Sequence, residues 1–250
     1  MLSSIMTSSS YIKGPKSHPL LIMDMEIDQE LMLATVFNPD LWWTERQKRI
    51  TASRFGKVMS ARNEKSLETL VQSMRSPRSS HIPYACRIGL YEEENAKLAY
   101  INYMREVNDV NVTIIPCGLC VPTSSPHMAS TPDGIVQVSG SLFPHVLEIK
   151  CIVDTNPVPQ SICDIAKQRG SRFYCKLNQD GSLQLKKNHQ YYYQVLGEMA
   201  TTGLLTADFV IYHPRTKEIK VIRVTYDGED WKKLKNKLDH FIYKYLDNKS

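Results

Sequence analysis

Five short runs of β-branched and aromatic residues restrict the fold more than any other feature of the sequence. Each run is bounded by Gly, Pro, Asp or Ser, a pattern that predicts β-strands. The runs cover residues 112–115, 134–138, 146–151, 207–212 and 218–226. Ser139, Gly140, Ser141 and Pro144 lie between the second and third runs. We therefore expect these two strands to form a hairpin.

Helical periodicity flanks and interrupts the predicted strands. Apolar spacing predicts helices at 43–59, with a break near Thr51, at 87–105, at 187–202, ended by Gly203, and at 229–246. Residues 73–83 are rich in Ser, Pro and Arg, which favours a long surface loop. This order of elements predicts an α/β fold with a central mixed β-sheet flanked by helices.

The N-terminal segment, the apolar stretches and the cysteines indicate where the chain resides. Residues 1–25 are Ser-rich and lack the apolar run of a secretory signal, so we predict a disordered tail followed by a single domain at 26–250. A cleaved organelle-targeting segment is the weaker alternative, because Arg is absent from this stretch. The apolar stretches are too short for a membrane span. Six cysteines without a secretion signal are typical of reduced thiols. We expect an intracellular protein of the nucleus or cytoplasm that is not secreted.

One cysteine spacing permits further chemistry. Cys117 and Cys120 form a C-x-x-C motif, which suits half of a zinc site or a redox pair. A structural zinc normally has a second Cys or His pair at matching spacing, and the sequence offers only the distant His127 and Cys151. Buried structural thiols are therefore the favoured interpretation.

Positive charge is concentrated in two segments. The net charge is only +5. Residues 45–62 hold six basic residues against one acid, and 165–189 hold a similar excess. Two basic segments around an acidic centre suit a polyanionic substrate, although solvated surface faces explain the charge equally well.

Two carboxylates and an ammonium group are predicted to meet on the hairpin. Asp133 directly precedes its first strand, and Glu148 and Lys150 share one face of the second strand, since they lie two residues apart. Such a set suits phosphodiester hydrolysis with a bound Mg²⁺ ion. The spacing is a weak signal by itself, because acid and Lys alternate on many exposed strands. Leu147 and Ile149 make the run look buried, which favours a functional site.

Five blocks of sequence, in order, carry a resemblance to a known family. They cover roughly residues 42–215 and read WTERQKRITAS from Trp43, GLYEEENA from Gly89, STPDG from Ser130, LEIKC from Leu147 and YQVLGEM from Tyr193. The chain resembles the YqaJ-type viral recombinases, a phage lambda exonuclease-like family within the PD-(D/E)xK nuclease superfamily. The stretch between Asp133 and Glu148 looks a few residues longer here than in the phage enzyme.

The resemblance implies a metal-dependent catalytic centre. Asp133 and Glu148 would bind Mg²⁺, with Mn²⁺ as a substitute, and the Ile149 carbonyl would be a further ligand. Glu93 would complete the acidic pocket; the neighbouring Glu92 and Glu94 compete for this position. Lys150 would position or activate water, and Gln194 would face the site as another catalytic residue.

The resemblance also implies contacts with DNA. Arg46 and Ser53 match positions that bind a terminal phosphate, and a spacing of seven residues suggests two turns on one helix face. Arg49 would lie one turn from both. Thr131 and Tyr193 are further candidates for substrate binding, although core packing is at least as good an explanation for two of the three tyrosines at 191–193.

The implied activity is exonucleolytic. We expect hydrolysis from double-stranded DNA ends, in the 5′-to-3′ direction, producing single strands for recombination. An endonuclease or a single-strand-preferring nuclease on the same fold, a non-catalytic DNA-binding module and, more distantly, a redox protein remain alternatives. DNA is the expected partner, with a single-strand annealing protein and further copies of the chain as additional candidates.

Overall fold

The computed structural model describes residues 27–76 and 83–247, so the predicted tail at 1–25 lies outside the described residues. The helices are α1 Gln29–Val36, α2 Pro39–Gln47, α3 Ala52–Ser60, α4 Glu64–Arg75, α5 Tyr84–Asn108, α6 Ile162–Arg169, α7 Gln190–Thr202 and α8 Gly228–Ile242. The strands are β1 Ile50–Thr51, β2 Val112–Ile115, β3 Met128–Ala129, β4 Gly134–Val138, β5 His145–Cys151, β6 Cys175–Leu177, β7 Leu183–Leu185, β8 Thr206–Tyr212 and β9 Ile219–Thr225. In these ranges no helix is long and apolar enough to cross a membrane.

A five-stranded mixed sheet forms the centre of the fold, as predicted. Its strand order is β2-β4-β5-β8-β9. β4 and β5 pair antiparallel as the predicted hairpin, with Gly134 opposite Leu147. β5 and β8 run parallel, which makes the sheet mixed. β5 is therefore an interior strand, and two of the predicted catalytic residues, Glu148 and Lys150, lie on it.

Helices cover both faces of the sheet. On one face, Ala96, Tyr100 and Met104 of α5 pack against Leu147 and Ile149 of β5. This contact confirms that the odd-numbered positions of β5 point away from Glu148 and Lys150. On the other face, α3, α7 and α8 join the larger core. Packing of apolar side chains on both faces provides most of the stabilisation of such a layered fold.

Two glycines allow α3 and α7 to approach each other closely. A Cβ at Gly56 would lie 2.6 Å from the Gln190 backbone, and a Cβ at Gly197 would lie 2.4 Å from the Phe55 ring. Both distances are shorter than real side-chain contacts, so neither site has room for a methyl group. This close packing brings α3, which follows the Arg46 segment, against the helix that carries Gln194.

Several predicted elements have different bounds in the structure. The predicted helix at 43–59 is divided into α2 and α3 by β1, which confirms the break near Thr51. The prediction of a loop at 73–83 is wrong at its start, because Ser73 to Arg75 form the last turn of α4. Residues 77–82 of the predicted loop lie outside the described residues. The sequence pattern did not predict α1, α4, α6 or the antiparallel pair β6–β7.

Candidate active site

Asp133, Glu148 and Lys150 meet at the junction of β4 and β5. The backbone N–H of Ile149 donates a hydrogen bond of 2.6 Å to Asp133 Oδ2, which ties the residue before β4 to the neighbouring strand. Lys150 Nζ lies 2.5 Å from Glu148 Oε1, as their shared face requires. The Glu148 side chain is 2% exposed and that of Lys150 22% exposed. The hairpin thus assembles the predicted set.

Helix α7 adds an amide and a further carboxylate. Gln194 Nε2 donates to Glu148 Oε1 at 2.6 Å and to Glu198 Oε1 at 2.9 Å. Gln194 and Glu198 are four residues apart on the helix, so they share one face. Glu198 is 1% exposed and was not singled out by the sequence pattern, although it belongs to the YQVLGEM block.

Burial and neighbouring charges shift the pKa values of the ionisable groups in this cluster. Burial, and then the charge of Glu148, raises the pKa of Asp133 well above its usual range. Burial and Glu148 likewise raise the pKa of Glu198. For Lys150, burial acts to lower the pKa, but the carboxylates of Glu148 and Asp133 outweigh it and raise the pKa. The site therefore favours additional positive charge.

Glu93 extends this acidic pocket from helix α5. Glu93 lines the same cleft as Asp133 and Glu148, whereas Glu92 and Glu94 do not, so the placement agrees with the choice of Glu93 among the three. Its carboxylate is bound by Lys97 Nζ at 2.6 Å, one helical turn away. Lys97 also lines the cleft.

Arg46 and Ser53 form a polar pair at the rim of the cleft. Arg46 Nη2 donates to Ser53 Oγ at 3.0 Å. The expected proximity is present, but its explanation was wrong: the two residues lie on α2 and α3, separated by β1, rather than on one continuous helix. The Arg46 guanidinium lies over the Trp42 ring, 4.8 Å from its centroid. Trp42 Nε1 in turn donates to Thr131 Oγ1 at 2.9 Å, which links Thr131 to the same rim.

Two of the substrate-binding candidates lie outside the lining of this cleft. Arg49 is in a turn, and its guanidinium donates to Glu45 Oε2 at 2.7 Å and to the Pro126 carbonyl at 2.9 Å. Tyr193 packs against the large core instead. Tyr191 is the tyrosine that contacts the site, since Lys150 Nζ lies 4.7 Å from its ring centroid.

The C-x-x-C motif contributes to the cleft wall. Cys117 Sγ and Cys120 Sγ are 3.3 Å apart; Cys117 lines the cleft and Cys120 is buried. Both cysteines are free thiols. The hydrogen bond with Cys117, and then burial, raises the pKa of the Cys120 thiol. In the part of the chain that the structure describes, no three His, Cys, Asp or Glu side chains are arranged to hold a metal ion, so His127 and Cys151 do not complete a site with this pair.

The cleft as a whole has a volume of about 390 Å³ and contains four acidic and three basic side chains. They are Glu93, Asp133, Glu148, Glu198, Arg46, Lys97 and Lys150. Glu148 Oε2 and Glu198 Oε2 are buried and have no hydrogen-bond partner among the described residues. A buried carboxylate oxygen without a partner, as at Glu148, fits a hard divalent cation, which prefers oxygen ligands. Among the described residues no three acidic side chains are grouped to hold such an ion, and Glu93 would have to leave Lys97 in order to join Glu148 and Asp133.

A family model described as the YqaJ-like viral recombinase domain matches residues 41–205, more than half of the chain. The chain belongs to this family. The matched range includes all the cleft residues named above. No curated protein matches the YqaJ-like chain at a significant level.

Solved structures share the fold of this YqaJ-like protein at low sequence identity. The alkaline exonuclease LHK-Exo from Laribacter hongkongensis is 21% identical, with a TM-score of 0.58 over 82% of this chain and 91% of the other. A phage-related exonuclease from Haemophilus somnus 129PT is 11% identical, with a TM-score of 0.52 over 79% and 93%. SOX of KSHV, in an RNA complex, is 13% identical, with a TM-score of 0.53 over 86% and 72%. The predicted α/β fold with a central mixed sheet flanked by helices is confirmed.

Proposed function

We propose that this YqaJ-like protein is a metal-dependent deoxyribonuclease that degrades double-stranded DNA from its ends. The observation that carries the proposal is the meeting of Asp133, Glu148 and Lys150 at one end of a cleft whose rim holds Arg46 and Ser53. Carboxylates and an ammonium group suit the hydrolytic step, and the guanidinium suits a phosphate. Membership of a viral recombinase family supports DNA as the substrate.

Each side chain at the base of the cleft has a separate task in this proposal. Asp133 and Glu148 would hold Mg²⁺ or Mn²⁺, with Glu93 and the Ile149 carbonyl as further ligands. When bound, the ion would offset phosphate charge and lower the pKa of a water molecule. Lys150, which keeps its proton because Glu148 and Asp133 raise its pKa, would orient that water or stabilise charge on the phosphate oxygens.

The rim of the cleft would select DNA ends. Among the described residues, no carboxylate forms an ion pair with Arg46, in contrast to the neighbouring Lys48 and Arg49, which both pair with Glu45. An unpaired guanidinium beside a hydroxyl is available to bind a terminal 5′-phosphate, with Thr131 held nearby through Trp42. Binding of the 5′ end would direct degradation 5′ to 3′ and leave single strands for recombination.

The experiment that tests this function compares DNA substrates of different topology. Wild-type protein would be incubated with Mg²⁺ and end-labelled linear duplex, covalently closed circular duplex or single-stranded DNA, each with an EDTA control. We expect rapid loss of the linear duplex only, with 5′ label released first. Cutting of closed circles would indicate an endonuclease, and preferential loss of single strands would refute the end-directed duplex activity. Binding of DNA without cleavage would refute the nuclease activity and indicate a non-catalytic DNA-binding module.

A further inference from the structure

The side-chain amide of Gln194 is held between two carboxylates. An amide nitrogen has only two hydrogens, and Gln194 Nε2 directs hydrogen bonds to Glu148 Oε1 at 2.6 Å and Glu198 Oε1 at 2.9 Å. A flipped amide would place its oxygen against both carboxylates and lose both bonds. The two acids together therefore fix the orientation of Gln194.

Glu198 is costly to bury, and the described residues provide no ion-pair partner for it. It is 1% exposed, its Oε2 atom lacks a hydrogen-bond partner among the described residues, and no described Lys or Arg forms an ion pair with it. Burying a carboxylate without a cation is unfavourable by several kcal/mol on the order-of-magnitude scale for single ions. Stability therefore does not explain an acid at this position, whereas its contact with Gln194 does.

The orientation of Gln194 has a consequence for Glu148. Glu148 Oε1 accepts hydrogen bonds from both Gln194 Nε2 and Lys150 Nζ. Glu148 Oε2 is left buried and without a protein donor. The carboxylate is thus held with one oxygen bound by the protein and the other available.

We propose that Glu198 is a positioning residue that acts through Gln194 to hold Glu148 in the orientation required for nuclease activity. The proposal rests on the proposed nuclease function. It requires an oxygen acceptor at position 198, and it does not require a negative charge there. A direct cation ligand at this position would require the charge. This difference decides the choice of variants.

Two substitutions separate the acceptor from the charge. Glu198→Gln keeps the shape and an oxygen acceptor for Gln194, whereas Glu198→Leu has similar volume and no acceptor. We expect Glu198→Gln to retain cleavage within about threefold, and Glu198→Leu to lose on the order of 10- to 100-fold, the loss expected when a catalytic group is misplaced. Affinity for Mn²⁺, measured by calorimetry without DNA, should fall only in Glu198→Leu. Equal losses in both variants would overturn the positioning role, and so would full activity of Glu198→Leu.

A double-mutant cycle with Gln194→Leu separates positioning from a general effect on folding. If Glu198 acts through Gln194, Glu198→Leu should cause little further loss of activity in the Gln194→Leu background. Additive losses would contradict the proposal. Thermal unfolding of all four proteins would be measured alongside.

NMR of the Gln194 side-chain amide provides a readout that is independent of cleavage. In the wild type, both amide protons should show the downfield shifts and slow exchange of hydrogen-bonded groups, and Glu198→Leu should release one of them. If these signals change as expected but the wild type cleaves no DNA, the nuclease function fails while the contact stands. If the signals do not change, the positioning role itself is refuted.

Discussion

Replacing Arg46 by Ala should remove the preference for 5′-phosphorylated DNA ends. The guanidinium is half-buried against Trp42 and donates to Ser53, and no described carboxylate pairs with it. Burial, and then the charge of Arg54, lowers its pKa to about 10, so it remains charged at neutral pH. A fixed and charged group of this kind needs little reorganisation to bind a phosphate.

The size of the effect follows from the type of contact. A hydrogen bond to a charged group contributes about 1.5 to 3 kcal/mol, which corresponds to a loss of about tenfold to a hundredfold. The degradation rate should fall with 5′-phosphorylated ends and change much less with 5′-hydroxyl ends, because the 5′-hydroxyl end has no terminal phosphate for Arg46 to bind. Degradation rates of both duplexes at fixed salt measure this difference directly.

Lys48→Ala is the matched control for this experiment. Lys48 lies two residues away, is 58% exposed and pairs with Glu45, so its removal changes the local charge equally without touching the cleft. Its effect on both substrates should be small and alike, as for general electrostatic attraction. An equal fall for both ends in Arg46→Ala would reduce Arg46 to a non-specific backbone contact. No fall in either would refute its role in binding.

Two further predictions concern stability. Burial alone would raise the pKa of Asp208, but hydrogen bonds from His145 and Arg223 outweigh it and lower the pKa to about 2. A lowered pKa stabilises the folded protein at pH values above the pKa of the unfolded state, and this stabilisation is lost as the pH falls through the folded-state pKa. About 2 kcal/mol of the free energy of unfolding should therefore disappear between roughly pH 4 and pH 2. Urea unfolding of Asp208→Asn should show a correspondingly weaker pH dependence; an unchanged dependence would exclude this network as its source. Separately, Gly197→Ala should destabilise the protein by about 1 to 3 kcal/mol, because the methyl group meets Phe55; an unchanged Tm would refute the tight helix crossing.

The strands were the most predictable part of the fold. β2 and β4 have the bounds that the sequence indicates, and β5 begins one residue earlier, at His145. Their β-branched runs end at turn residues, so the local signal and the tertiary structure agree. α6 was missed because its buried residues, Ile162, Ile165 and Ala166, cover too little of a short polar helix to establish a period.

The candidate site was predictable only where its residues follow a local rule. Glu148 and Lys150 are brought together by the two-residue period of a strand, which is visible in the sequence. Glu198 reaches the site through the packing of α7 against β5, and the sequence alone contains no such contact. The available signals were its place in the YQVLGEM block and its i, i+4 spacing from Gln194. The contact of Arg46 with Ser53 depends in the same way on how β1 turns the chain between two helices.

Hydrolysis by Glu148→Gln is the most direct test of the catalytic centre. This variant keeps the shape of the side chain and removes the charge that faces Lys150 and the proposed ion. With Mg²⁺ and 5′-phosphorylated linear duplex, we predict that cleavage falls by more than about 100-fold, the scale of losing a group that acts in the transition state, while DNA binding and the circular dichroism spectrum are retained. Turnover by Glu148→Gln within a few-fold of the wild type would contradict the assignment of this cleft as the active site.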